Sequence, residues 1–201
     1  MLKNTYPCLK PKNKQIKQNI QKRDRFIELI PFLFKYINYM ATNLKNLSDH
    51  SSMNLTDMAN NKFAIVVSEW NEAVTESLYN GALETLLAHG AKKENISKHY
   101  VPGSFELSLA AQWMAQKNDI DAVICLGCVI QGETKHFDFI CDAVAQGITN
   151  VSLKFNKPVI FGVLTPNSQE QALDRAGGKH GNKGDEAAIT AVKMLGLVAH
   201  L

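Results

Sequence analysis

Long apolar runs are missing from the sequence, and the longest candidate falls short of a membrane span. A helix needs about 20 consecutive apolar residues to cross a bilayer, whereas residues 26–40 form a shorter stretch that Glu28, Pro31 and Lys35 interrupt. The composition, 45% hydrophobic and 20% charged, is typical of a soluble globular protein. We therefore predict neither a transmembrane segment nor a membrane partner.

Cysteine is scarce, with four residues: Cys8, Cys125, Cys128 and Cys141. Cys125 and Cys128 match C-x-x-C, a spacing found in redox and zinc sites. Residues three apart in a strand point to opposite faces of the sheet, so the two sulfurs should diverge. No second C-x-x-C or His pair completes a zinc site. We predict reduced core cysteines in a cytoplasmic protein, and no metal.

Acidic residues are rare at the start of the chain. Residues 1–39 contain nine Lys or Arg against two acidic residues, a net charge of +7, while the whole chain carries +3. The remainder is therefore net acidic, which argues against nucleic-acid binding by the core. We interpret residues 1–60 as a basic, disordered extension and linker, and residues 61–201 as the folded domain. A transit peptide and a start of translation at Met40 are alternatives for the extension.

From residue 63 onward, short apolar runs alternate with runs of helical periodicity. We predict strands at 63–68, 96–101, 121–130 and 158–165, and helices at 72–90, 104–117, 137–155, 168–176 and 184–199. This alternation is typical of an α/β protein with a parallel sheet covered by helices on both faces. Ligands of such sheets bind at the carboxyl ends of the strands.

The third predicted strand runs into residues suited to anion binding. Gly132, Glu133 and Thr134 are predicted to open the next helix, where backbone N–H groups lack helical partners and the dipole favours an anion. The stretch "GCVIQGET" is similar to a nucleotide phosphate loop, but Glu133 replaces its lysine and would repel a triphosphate. We expect a phosphate monoester instead. His136, on the first helical turn, is placed either for proton transfer or as an ordinary surface histidine.

A glycine-rich basic segment, residues 174–186, follows the last predicted strand. Its four glycines within 177–184 argue against a stable helix or strand. The segment is either a solvated loop or a loop that closes over an anion with Arg175, Lys179 and Lys183.

Two residues at strand exits each have two interpretations. Glu106 either caps a helix start or accepts hydrogen bonds from a polyol. Trp70 either packs against the protein or stacks on a planar ligand. Because the strand exits of a parallel sheet meet at one edge, these residues predict a single ligand site there.

The chain from Lys62 onward resembles the lumazine synthase family. The resemblance rests on the order and spacing of five blocks: "SEWN", "VPGSFEL", "LGCVIQGETKHFDFICDAVAQGI", "PVIFGVLT" and "DRAGGKHGNKGDEAA". It implies a flavodoxin-like three-layer sandwich with a parallel four-stranded sheet. The implied reaction condenses 5-amino-6-(D-ribitylamino)uracil with 3,4-dihydroxy-2-butanone 4-phosphate to 6,7-dimethyl-8-ribityllumazine, phosphate and water, in riboflavin biosynthesis. No cofactor or metal is implied. Pentamers, an icosahedral shell and association with riboflavin synthase are further implications.

The resemblance also assigns roles to residues at matching positions. Those expected around the pyrimidine and its ribityl chain are Trp70, Asn71, Ser104, Phe105, Glu106, Cys128, Val129 and Ile130. Those expected at the phosphate and for acid–base chemistry are Glu133, Thr134 and His136, with Phe161, Arg175 and Lys183 supplied by a neighbouring subunit. The chain departs from the common pattern at Trp70, Cys128, Gln131 and Asp174, and none of these changes removes a proposed catalytic group.

Two other classes of protein fit parts of this pattern. A flavin- or lumazine-binding protein with little turnover would keep the fold and the pocket. A flavodoxin-like electron carrier would copurify with yellow FMN, and it leaves the segment from Arg175 to Lys183 unexplained.

Overall fold

The structure is a computed structural model that describes residues 57–201, and the predicted extension up to residue 56 lies outside the described residues. The strands are β1 (Phe63–Ser68), β2 (Ile96–Val101), β3 (Ala122–Cys128), β4 (Val159–Leu164), β5 (Ala176–Gly178) and β6 (Gly181–Asn182). The α-helices are α1 (Glu72–Ala88), α2 (Leu107–Ala115), α3 (His136–Phe155), α4 (Gln169–Asp174) and α5 (Lys183–Val198). Short 3₁₀ turns at Lys93–Asn95 and Ser104–Glu106 precede β2 and α2.

Four strands form one parallel sheet in the order β2-β1-β3-β4. Ile65 of β1 lies opposite Lys98 of β2 on one side and Ile124 of β3 on the other. Because every neighbouring pair is parallel, all four strands end at the same edge of the sheet. The predicted α/β fold with a four-stranded parallel sheet is confirmed.

Each face of the sheet packs against its own pair of long helices. Ile65 and Val67 of β1 point into one core, with α1 and α5. Ala64 and Val66 point into the other, with α2 and α3. This alternation follows from the two-residue period of a strand. It explains why β1 and β3 are apolar except for Ser68 at the end of β1, since both of their faces are buried.

The C-x-x-C pair divides between the two cores. Cys128 is buried on the face covered by α1 and α5, and Cys125 on the face covered by α2 and α3. Burial raises the pKa of the Cys125 thiol to about 12 and that of Cys128 to about 11. Because the two side chains pack into different cores, the expected divergence of the sulfurs is confirmed, and both thiols are free.

The glycine-rich segment requires a correction. Residues 177–184 were predicted to form neither helix nor strand, but β5 and β6 pair as a small antiparallel hairpin, and α5 begins at Lys183. Positive φ angles at Gly177 and Gly181 allow the tight reversal between the strands. A hydrogen bond also joins the hairpin to α1, because Ser77 Oγ on α1 donates to the Ala176 carbonyl at 2.6 Å.

Met58, just before the predicted domain boundary, packs against the folded domain. Met58 is buried in the core with α1 and α5, and its N–H donates to the His89 carbonyl at 3.0 Å. The packed region therefore includes residues just before the predicted boundary at 60. Among the helices of residues 57–201, none has both the length and the apolar character that a bilayer crossing needs.

Candidate active site

A cavity of about 630 Å³ opens at the carboxyl edge of the sheet, where β1, β2 and β3 end. Most of the residues predicted from sequence line it together. We call these lining residues the cavity group: Trp70, Asn71, Ser104, Phe105, Glu106, Cys128, Val129, Ile130 and His136. They come from the three strand exits and from the first residue of α3, as the position of ligand sites in parallel sheets predicts.

Asn71 ties two of the strand exits together. It follows β1 and adopts a left-handed conformation, with φ 62° and ψ 44°, which asparagine tolerates better than most residues. Its side-chain Nδ2 donates to the Cys128 carbonyl at 2.9 Å. The preceding Trp70 donates its backbone N–H to the Pro102 carbonyl at 3.2 Å. The ends of β1, β2 and β3 are therefore joined by hydrogen bonds around the cavity.

The structure bears on the two interpretations given for Trp70 and for Glu106. The Trp70 side chain is 73% exposed, which contradicts the interpretation that it packs against the rest of the chain. Glu106 Oε2 accepts the Gly103 N–H at 3.0 Å, so the capping interpretation is confirmed for one carboxylate oxygen. A carboxylate has acceptor capacity beyond one bond, and Glu106 remains exposed at the cavity.

Ser104 carries an unpaired hydroxyl beside the cavity. Its Oγ is buried and has no hydrogen-bond partner among residues 57–201. A buried polar group of this kind calls for an explanation. The hydroxyl lies against Gly127 of β3 rather than towards the cavity that Ser104 lines, so a ligand there would satisfy it only after the side chain rotates.

The predicted anion loop lies just before the helix rather than in its first turn. Helix α3 begins at His136, with Lys135 at the N-cap, so the expectation that Gly132, Glu133 and Thr134 open the helix is wrong. The loop still contacts the helix start, because the His136 N–H points to Thr134 Oγ1 at 3.4 Å. His136 lines the cavity, whereas Glu133 and Thr134 are exposed outside its lining.

Arg175 and Lys183 lie elsewhere on the chain, and we call them the basic group. Arg175 follows α4 and lines a cavity of about 420 Å³ with Lys179. Lys183 lines another cavity, of about 380 Å³, with Phe161 of β4. Neither cavity shares a lining residue with the cavity group. Within one chain, the structure therefore does not unite these three predicted residues with the other predicted site residues.

Sequence reasoning missed Glu186, which contacts both members of the basic group. Its Oε1 accepts from Arg175 Nη2 at 2.7 Å, and its Oε2 accepts from Lys183 Nζ at 2.9 Å. Burial opposes ionisation of Glu186, but hydrogen bonds and charges from Lys183 and Arg175 outweigh it and lower the pKa. The i, i+3 spacing of Lys183 and Glu186 on α5 was the one sequence signal for this contact.

The fold and the cavity together define an α/β protein with a concave candidate site at the carboxyl edge of its sheet. The Trp70 side chain, the Ser104–Glu106 turn and His136 line one cavity at the carboxyl edge of the parallel sheet. In the described part of the chain, no group of three or more His, Cys, Asp or Glu residues could hold a metal ion.

Comparison with known proteins gives the family. Residues 60–199 match the model of 6,7-dimethyl-8-ribityllumazine synthase. A protein of that name from Cytophaga hutchinsonii is 67% identical over 156 residues, covering 78% of this chain and 98% of the relative. Another from Parabacteroides distasonis is 50% identical over 160 residues, covering 80% and 100%. A third, from Flavobacterium johnsoniae, is 53% identical over 155 residues, covering 77% and 82%. The chain belongs to the 6,7-dimethyl-8-ribityllumazine synthase family.

Proposed function

We propose that the chain catalyses the penultimate step of riboflavin biosynthesis. It condenses 5-amino-6-(D-ribitylamino)uracil with 3,4-dihydroxy-2-butanone 4-phosphate, and releases 6,7-dimethyl-8-ribityllumazine, phosphate and water. The observation that carries this proposal is the cavity group itself, which sits at the strand ends of a chain that belongs to this family.

The pyrimidine substrate occupies the cavity in this proposal. Trp70 is exposed at the cavity and free to stack on a planar ring. The backbone of Cys128–Ile130 reads the pyrimidine edge, and the Asn71 hydrogen bond to the Cys128 carbonyl holds that backbone in place. Ser104, Phe105 and Glu106 receive the ribityl chain, whose hydroxyls match the exposed Glu106 carboxylate.

The phosphate of the second substrate binds beside His136. The backbone N–H groups of Glu133 and Thr134 contact it, and the nearby start of α3 adds a favourable dipole. The 5-amino group attacks the ketone to form a Schiff base, phosphate is eliminated, and the ring closes with loss of water. His136 moves protons in these steps, a role that typically contributes about 10²–10⁴-fold in rate.

The active site is completed by a second copy of the chain. Arg175, Lys183 and Phe161 do not line the cavity of their own chain, so a neighbour's copies of these residues close over the phosphate and the pyrimidine. Exposed apolar side chains such as Phe139, at 71%, and Leu153, at 77%, support burial against other copies. We propose cytoplasmic pentamers that close into an icosahedral shell and associate with riboflavin synthase.

A turnover assay tests the reaction. The purified chain is mixed anaerobically with both substrates, and formation of the lumazine is followed by its absorbance. We expect product and phosphate in equal amounts. A protein that binds the lumazine or flavin without turnover would contradict the proposed enzyme and leave only a binding function.

Subunit mixing tests the shared site. His136→Ala and Arg175→Ala chains are unfolded, mixed and reassembled, then assayed at a butanone phosphate concentration well below the raised KM of Arg175→Ala, where each chain alone has low activity. If the two residues come from different subunits, some interfaces regain both intact side chains and activity returns. Mixed assemblies that stay inactive would place both residues in one subunit and refute the shared site.

A further inference from the structure

Glu186 forms a carboxylate bridge between the two cations of the basic group. One oxygen accepts from Arg175 Nη2 at 2.7 Å, and the other accepts from Lys183 Nζ at 2.9 Å. The Glu186 side chain is only 12% exposed, compared with 27% for Arg175 and 31% for Lys183. The carboxylate therefore lies below the surface, and the two cations lie above it, nearer to solvent.

Backbone groups hold the base of Lys183 and one nitrogen of the Arg175 guanidinium. The Lys183 N–H donates to the Arg175 carbonyl at 2.9 Å where the hairpin closes. Arg175 Nη1 also donates to the His180 carbonyl at 2.6 Å. A long Lys side chain otherwise keeps much rotamer freedom, so the Glu186 bridge is the contact that sets the Lys183 ammonium relative to the Arg175 guanidinium.

The bridge leaves both cations able to bind an anion. A guanidinium has five N–H donors and an ammonium has three. Glu186 takes one from each, and the His180 carbonyl takes a second from Arg175, so donors remain on both cations. Two positive charges against one negative charge leave the cluster net positive. The hydrogen bonds also favour ionised Glu186 despite its burial, which keeps the bridge intact near neutral pH.

We propose that Glu186 is a positioning residue for the phosphate-bearing substrate, because it holds Arg175 and Lys183 at a fixed separation for binding one phosphate. This inference rests on the proposed function, which gives the basic group its ligand. Glu186 itself need not contact the substrate. Its effect is to orient both cations before the phosphate arrives, so that less ordering remains to be done on binding.

The test is the Glu186→Gln variant, which keeps the shape but loses the negative charge and one of the two acceptor oxygens. We expect its apparent KM for the butanone phosphate, and its inhibition constant for inorganic phosphate, to rise about tenfold, the factor for one weakened charge-assisted contact. Its KM for the pyrimidine should stay within about twofold of the wild type. If glutamine prevents assembly, Glu186→Asp keeps the charge but shortens the reach, and should shift the same two constants.

Glu76→Gln is the matched control, since Glu76 accepts from Lys98 Nζ at 2.9 and 2.8 Å outside both groups. It should leave all three constants unchanged. Glu186→Gln is also placed in a chain that carries Arg175→Gln and Lys183→Gln. A residue that acts only through these cations should then add no further loss.

Three results overturn the inference. Unchanged constants in Glu186→Gln would show that the bridge does not position the cations. Tighter phosphate binding by Glu186→Gln would show that Glu186 competes with phosphate for Arg175 and Lys183. If Glu186→Gln weakens phosphate binding as much in the triple variant as in the wild type, its role is merely structural. If the wild-type chain makes no lumazine, both the proposed function and this inference are wrong. If the wild type is active and Glu186→Gln behaves like it, only the positioning role of Glu186 is refuted.

Discussion

The cavity group and the basic group are held in place by different forces. Around the cavity, neutral hydrogen bonds to backbone predominate, as when Asn71 Nδ2 donates to the Cys128 carbonyl. In the basic group, charged side chains hold one another, with Glu186 between Arg175 and Lys183. The first arrangement belongs to the sheet edge, and the second to the small hairpin and the start of α5.

This difference suggests how two substrates share one site. A cavity shaped by backbone contacts suits a rigid planar ring, whose position must be defined before reaction. A cluster of ion-paired cations suits a phosphate, because an incoming anion takes unused donors without dismantling the cluster. The predictions below test whether the two groups carry these separate tasks.

The largest expected effect is on turnover, in the cavity group. His136→Ala should lower turnover by about 10²–10⁴-fold, since a general acid–base group typically contributes that much. Pyrimidine binding should survive, because the ring contacts come from other residues. Single-turnover kinetics and equilibrium titration with the pyrimidine measure the two effects separately. Unchanged turnover would remove His136 from the chemistry.

The next effect is on substrate binding, in the basic group. Arg175→Ala should raise the apparent KM for the butanone phosphate by about 10- to 100-fold, which corresponds to losing a charge-assisted hydrogen bond of about 1.5–3 kcal/mol. The KM for the pyrimidine should change little. Steady-state kinetics with each substrate varied in turn measures this, and equal increases in both constants would contradict a phosphate-specific role.

The third effect is on stability, at Gly184, which follows Lys183 and packs against α1. A Cβ added at Gly184 would overlap the backbone carbonyl of Leu78, whereas one at Gly132 would meet no heavy atom of the described residues within 4 Å. Gly184→Ala should therefore destabilise the fold by about 1–3 kcal/mol, the usual cost of overpacking. Gly132→Ala is the matched control and should keep the wild-type Tm. Calorimetry compares them, and equal Tm values would refute the tight α1–α5 contact.

The smallest expected effect is on the pH dependence of stability, and it comes from Asp185, the residue before Glu186. Burial and the charges of Glu84 and Glu186 raise the pKa of Asp185 above its ordinary value of 3.8. The folded state then holds this proton more tightly, so stability falls as pH rises from the unfolded pKa through the raised folded pKa. Asp185→Asn should remove that loss, making the variant more stable at pH 7 and no more stable near pH 3. Urea unfolding at both values checks this, and a variant less stable at pH 7 would contradict it.

Much of the fold was predictable because it depends on local periodicity. Apolar runs such as residues 63–68 must be buried on both sides, and helical repeats between them cover the two faces. The boundaries were less certain, since the ends of helices depend on contacts outside the local pattern. Helix α3 begins at His136, and the loop before it, from Gly132 to Thr134, was wrongly placed in the helix.

The sequence by itself determined the alternating order of strands and helices, the edge of the sheet where the cavity lies, and the residue types at each strand exit. Only the tertiary structure decided which distant residues meet. Asn71 reaches Cys128 across 57 positions, and Glu186 reaches Arg175 only because the β5–β6 hairpin turns the chain back onto α5. The physical reason is that hydrophobic periodicity acts within an element, whereas contacts between elements depend on strand register and helix packing, which local patterns do not encode.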